Sequence, residues 1–407
     1  MSLASNNNLR RHLVGGIWKR MFVFSTVITL FALLTLLYKV TSESFGLVAV
    51  ELTVNPESLA QDGVKINQMS KSQIISVIND QISKGRYRKL DYDKPFDQRT
   101  RSEMFQVLVD EVVQPSIVRT WPLLQSLLNR DEIYSEYMDL NPNTKLVMRS
   151  WLNSNFIVSP QSSDPEKAGV RTAILGSLWV VLIAIIFAFP IGVGAAINLE
   201  EYSTDSVINR FISTNIYNLA GVPSIIYGML GLAIFVRALE PLTSGSLFGV
   251  VDPTTANGRT ILSGGLTLGL LILPLIIVNS QESIKAVSNS LREASYGLGA
   301  TKWQTIWHHV LPNALPGILT GNILAVSRAI GETAPLIVVG ASTFITFDPD
   351  GPFSKFTTLP VQIYQWTSRP QSEFQNIAAA GILVLLLMLV LLNGLAISLR
   401  NKYSNRI

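Results

Sequence analysis

Six apolar stretches, each near or above the roughly 20 residues that a helix needs to cross a bilayer, leave this chain few folds to choose from. They run from Met21 to Val40 and then over 172–197, 215–236, 260–280, 315–345 and 376–399. Charged residues make up 15% of the 407-residue chain, against about 25% in an ordinary soluble domain. The deficit falls in the apolar stretches, whereas residues 41–169 read as soluble sequence. The expected fold is therefore an all-α polytopic membrane protein of six transmembrane helices, carrying one mixed extramembrane insertion.

The first stretch follows Arg10, Arg11, Lys19 and Arg20 and runs into Thr41-Ser42-Glu43-Ser44, without a small-residue cleavage pattern. It reads as a retained anchor whose N-terminus is cytoplasmic. Six spans place both termini on one side, and the charges agree. Arg210, Lys285, Arg292, Lys302, Arg400, Lys402 and Arg406 join the N-terminal cluster inside, whereas the short outer loops hold only Arg237, Arg259, Lys355 and Arg369. The basic cluster from Arg86 to Arg99 lies in the long outer segment, where the rule does not apply. The net charge of +4 thus reflects membrane orientation, and no nucleic-acid partner is expected. The expected layout is a cytoplasmic N-terminus and anchor (1–40), an extracytoplasmic insertion (41–169), a five-span core (170–400) and a cytoplasmic tail (401–407).

Within the insertion, Ser70 to Lys84 reads as a serine-capped helix stopped by Gly85. Thr100–Val113 and Asn143–Leu152 read as further helices, and Phe45–Val54 and Phe156–Ser159 as short strands. Cysteine is absent, which excludes disulfides and thiolate chemistry. The three histidines, His12, His308 and His309, are too few for a histidine-rich metal centre. No GxxxxGK[ST] phosphate loop occurs, and Gly192-Val-Gly194 and Gly297-Leu-Gly299 lack the remaining glycines of a nucleotide fingerprint. Any ATP hydrolysis must come from another chain.

Two polar segments remain. Between the fourth and fifth spans, Ser283–Tyr296 and Lys302–Val310 form two short helices around Gly297 and Gly299, where glycine permits a sharp turn. Pro312 is expected to break the chain before the next span. Ala294 and Ser295 present a small face and Glu293 a charge beside it, which suits close approach by another protein. An interfacial helix pair with no partner fits the same residues. In the fifth span, Arg328 and Glu332 stand four apart and share a helix face. A charge at mid-bilayer costs about 2.5–3.5 kcal/mol on insertion scales, so the two are expected to be buried together, facing protein or a cavity. They are either a structural ion pair or a point on an anion's path, where a guanidinium fits oxyanions bidentately. Gly331 and Pro335 imply an irregular helix, and Thr333 adds a hydroxyl.

The stretch from Arg292 to Pro312 resembles the EAA loop of ABC importer permeases, with Glu293, Ala294, Gly299, Leu311 and Pro312 at matching spacings. Ser295 replaces the usual second alanine and His309 the usual isoleucine. Ser327-Arg-Ala-Ile-Gly-Glu-Thr-Ala-Pro-Leu336 resembles the phosphate-importer permeases of the PstA type, as does Thr358-Leu-Pro-Val-Gln-Ile363. The resemblance covers about residues 170–400 and leaves out 41–169. It implies a type I permease core, a coupling loop over 283–313 seated on a cytoplasmic ATPase dimer, and a translocation role for Arg328, Glu332 and Thr333. It also implies a PstC-like permease partner, an extracytoplasmic phosphate-binding protein, and location in the bacterial inner membrane. The chain would catalyse no covalent chemistry and bind no cofactor or metal, the ATP and Mg belonging to the partner ATPase. Two rivals are a permease for another oxyanion, such as molybdate or sulfate, and a membrane sensor whose outer domain reads a ligand. A third, an intramembrane enzyme using Glu332, lacks a second carboxylate or a histidine base nearby.

Overall fold

A computed structural model describes residues 2–56, 58–60, 64–138, 144–250, 257–342 and 344–404. Arg406 and Asn143 lie outside them. The described chain forms two compact units, one of residues 1–151 with 371–376 and one of residues 152–370 with 377–407.

The first unit begins with a helix over Ser2–Ser44. From Val14 to Leu37 its side chains have no protein cover, Phe22, Phe24 and Phe31 among them, as expected of a helix that meets lipid. The chain passes directly into β1 (Phe45–Leu52), flanked by β2 (Pro115–Pro122) and β3 (Thr144–Ser150) in an antiparallel sheet of order β2-β1-β3. Leu47, Ala49 and Trp121 point to one face and bury with Ile133 of the Arg130–Met138 helix. A second core gathers Met69, Ile74, Ile78, Phe96, Met104 and Leu108. The insertion is mixed, as its composition implies.

Three local expectations for this part of the chain are corrected. The segment read as a helix over Asn143–Leu152 is β3 where it is described, because the open edge of β1 offers it a backbone ladder that outweighs local propensity. Phe156–Ser159, read as a strand, belongs in the second unit to a short helix over Ser154–Val158. Its cap is Asn153, whose side-chain oxygen accepts from Phe156 N–H at 2.8 Å. Gly85 stops no helix. The capped helix of Ser70 ends at Gln81, and Ser83 caps a new one over Lys84–Asp93 that contains Gly85.

Among the described residues five helices are long and apolar enough to span, and the second unit holds Arg171–Tyr202, Ile261–Lys285, Lys302–Gly331 and, from Ile377 on, Ser372–Lys402. The third expected span is two helices, Val207–Ala220 and Ser224–Ala238, bent by 104° at Gly221-Val222-Pro223. Counted as one span, the pair makes six. Proline's missing N–H and fixed φ account for a corner there. Ile261–Lys285 is the most buried of these spans, and glycines let its neighbours close on it. A Cβ on Gly265 would lie 2.6 Å from Ile183, and one on Gly269 2.7 Å from Phe187. Gly321 meets Asn279 as closely, from the other side.

Candidate functional site

Two places carry the polar residues singled out in the sequence, and both are sites where a helix departs from regularity. The first is the end of the fifth span. The helix stops at Gly331, Glu332 takes an extended backbone with ψ 130°, and a short helix restarts over Ala334–Val339 with Pro335 in its first turn. The fifth span therefore does not continue as one helix to 345. Arg328 Nε–H donates to Glu332 Oε1 at 3.4 Å, a long contact. The pair is not buried together: the Glu332 side chain is 16% exposed and that of Arg328 44%. The carboxylate orients a guanidinium that remains open, which suits reversible contact with an anion. Thr333 joins the two helices at half-buried depth.

Sequence reasoning missed what braces this break. Gly228, in the helix that follows the Gly221–Pro223 corner, abuts Pro335 so closely that a Cβ would sit 2.6 Å from its Cα. Tyr227 beside it donates its hydroxyl to Leu219 O at 2.8 Å, across the corner. The two interrupted helices thus pack break against corner. Nothing local in either segment announces the other.

The second place is the elbow after the fourth span. Ile261–Lys285 ends three residues short of a separate helix over Asn289–Gly297, so Ser283–Tyr296 is not one helix. The turn follows, and of its two glycines only Gly299 has the left-handed φ, +83°. Lys302 opens the next helix under a Thr301–Gln304 capping box. Pro312 marks no break. Residues Ile306–Val310 form a wide π-type turn that passes straight into Leu311–Gly331, absorbing the proline's missing donor at the start of the regular helix.

Glu293 and Ala294 are exposed on the first arm, while Ser295 is buried. Its hydroxyl shares a 2.9 Å hydrogen bond with that of Thr305 on the second arm, a contact the usual alanine could not make. The tip presents Tyr296, Leu298 (91% exposed) and the stacked pair Trp303 and Trp307 at 5.4 Å. Leu311 and Pro312 sit at intermediate depth at the base. His308 and His309 are exposed, and no group of metal-ligating side chains occurs among the described residues. A groove of about 920 Å³ runs along the inner side of the elbow, lined by Glu282, Ser283, Leu291, Ala294, Asn313 and Gly317. Exposed apolar rings around the turn, beside a small-residue face, have the chemistry of a surface that a protein could cover.

With this geometry in view, residues 188–405 match the family described as binding-protein-dependent transport system inner membrane component. The phosphate transport system permease protein PstA of Yersinia pestis is 35% identical over 232 residues, covering 56% of this chain and 71% of that protein. PstA of Mycobacterium leprae is 36% identical, covering 55% and 69%. A PstA homolog of Mycoplasma pneumoniae is 31% identical over 280 residues, 68% of this chain, but the match spans only 41% of that longer protein. Among solved structures, an inward-facing MetNI methionine ABC transporter aligns with a TM-score of 0.42 at 18% identity, covering 57% of this chain and 94% of that one.

Proposed function

Because the chain belongs to the family of binding-protein-dependent transport system inner membrane components, we propose that it is the PstA-type permease subunit of an ATP-driven importer of inorganic phosphate. The observation that carries the cargo reading is Arg328, an open guanidinium oriented by Glu332 at an interruption of a spanning helix. Irregular backbone at membrane depth is tolerated where it borders a cavity, and a guanidinium there offers paired donors to phosphate oxygens. Thr333 supplies a hydroxyl at the same break. The PstA names of several relatives favour phosphate among oxyanions.

In this reading a second permease, PstC-like, completes the path, and an extracytoplasmic binding protein delivers phosphate. A cytoplasmic ATPase dimer, which holds ATP and Mg, receives the elbow through Glu293, Ala294, Ser295 and the exposed tip. Leu311 and Pro312 carry its motion into the fifth span. Both termini are cytoplasmic, following the charge bias. Residues 1–40 anchor the chain, 41–169 form an extracytoplasmic domain, 170–400 the permease core and 401–407 a cytoplasmic tail.

The test is uptake of radiolabelled phosphate at low external concentration by cells lacking the chain, restored with it or with Arg328→Gln. Uptake restored by the unaltered chain alone, with the variant assembled and no competition by sulfate or molybdate, is the expected result. Competition by either anion moves the cargo to that oxyanion. Uptake independent of the chain removes phosphate from the reading.

A further inference from the structure

The second span does not end at Ile197 but continues through a wide π-type turn over Asn198–Tyr202, and that turn grips both arms of the elbow. Glu201 holds the first arm. Its Oε1 accepts from Arg292 Nη2–H at 2.7 Å and from Nε–H at 3.1 Å, with the two side chains 6% and 14% exposed. The other guanidinium protons go to Ile284 O at 3.0 Å, Val287 O at 2.6 Å and Asn289 Oδ1 at 3.3 Å, so all five donors of Arg292 are engaged. The next residue, Tyr202, holds the second arm: the Lys302 ammonium lies 5.2 Å from its ring centroid. Ser295 and Thr305 tie the arms to each other. Beneath the grip, Ala196 packs with Ile284, Val287, Val310 and Ala314.

We infer that Glu201 and Tyr202 form a two-point clamp that makes the elbow and the second span one moving body. The inference rests on the coupling reading above and names residues that transmit the motion. An ion pair this enclosed adds little net stability, because desolvating both charges offsets their attraction. It does add a register. The elbow cannot slide along the second span without stranding a buried carboxylate and breaking both of the bonds that Arg292 donates to it. A displacement imposed on the elbow by the ATPase is therefore delivered to the Arg171–Ile197 helix as well as to the fifth span, which is continuous with the elbow. The clamp residues are positioning residues: they touch neither phosphate nor nucleotide.

The test uses the whole importer, reconstituted in vesicles. The chain lacks cysteine, so with accessible cysteines of the other subunits replaced, spin labels go at Gly297→Cys, where an added side chain meets nothing, and at exposed Ile186→Cys. In the unaltered clamp the label distance keeps one narrow distribution with and without ATP. Glu201→Gln combined with Tyr202→Ala is expected to add a second, nucleotide-dependent distance. The same change lowers phosphate carried per ATP hydrolysed by about tenfold, a coupling loss within the usual range. Tyr202→Phe, which keeps the ring, behaves as the unaltered chain. A label distance that already shifts with ATP in the unaltered importer, or a normal phosphate-to-ATP ratio in the double variant, overturns the clamp. Loss of assembled complex in the double variant does so too, since it makes the pair a folding brace. Failure of the unaltered importer to carry phosphate overturns the cargo reading alone, because the labels report on the clamp whatever is carried.

Discussion

Two arginine–glutamate pairs among the described residues stand at polar interruptions of the spanning helices, and they differ in almost every physical respect. Arg328–Glu332 is local, four residues apart, joined by one contact of 3.4 Å and 44% open on the arginine side. Arg292–Glu201 bridges 91 residues, closes at 2.7 Å, and leaves no donor of the arginine idle. A carboxylate that only orients a guanidinium leaves it free to bind a passing anion. One that encloses it converts the arginine into a joint. Residue identity is the same in both; burial and the number of engaged donors separate an open pair from an enclosed one.

Stability measurements break this comparison most directly. Arg292→Ala leaves the Glu201 carboxylate covered and unpaired, a change that costs about 3–5 kcal/mol when a buried pair loses one partner. We expect a large fall in the thermal inactivation midpoint of the purified importer and early protease cleavage within 285–302. An unchanged midpoint means the pair is not enclosed in the assembled protein. Arg328→Gln is the complementary experiment. An open pair contributes about 0–1 kcal/mol, so the midpoint should stay close to that of the unaltered importer while phosphate uptake is lost. A fall as large as that of Arg292→Ala would make Arg328–Glu332 a structural pair after all.

Gly299→Asp sharpens the elbow's side of the comparison. The residue holds φ +83° at an exposed turn with nothing near an added Cβ, so the strain is about 1–2 kcal/mol and the added charge falls on the face proposed to dock the ATPase. ATP hydrolysis uncoupled from uptake is expected, and normal uptake would remove the elbow from the coupling path.

The smallest effect lies in the first compact unit, where a third acid–base contact is open to solvent on both sides. Lys94 Nζ donates to Glu103 Oε1 at 2.6 Å, and Thr100 N–H donates to Oε2. These hold the Glu103 carboxyl down at about 2, against 4.5 ordinarily, the lysine contact being the larger cause. Because the folded-state value is the lower one, the stabilisation is complete above pH 4.5 and is lost as pH falls toward 2. Proteolysis of the full chain in membranes should show Glu103→Gln flattening the acid sensitivity of residues 71–113 across that window. An unaltered acid profile in the variant would assign the sensitivity to other carboxylates.

How much of this was legible follows from the range of each interaction. Spanning helices are decided by length and apolarity within one segment, and the Ser70 cap by four residues, so the sequence discloses them. The elbow is legible because its two arms and the glycine between them are contiguous. The role of Ser295 was not, since its partner Thr305 becomes adjacent only once the elbow folds. The reading of Pro312 as a break failed for a local reason: a π-type turn before it relieves the hydrogen bond that a proline would otherwise break.

By itself, then, the sequence determined a polytopic helical chain with a mixed insertion, a polar interruption at Arg328 to Thr333 and a turn at Gly299. Each depends on neighbours along the chain. Tertiary structure alone decided that Thr144–Ser150 completes a sheet and that Gly228 seats on Pro335. It also decided that Glu201 reaches Arg292 while Arg328 stays open. Those outcomes depend on which segments meet in space, and on how much water is excluded when they do, quantities that no local pattern of residues encodes.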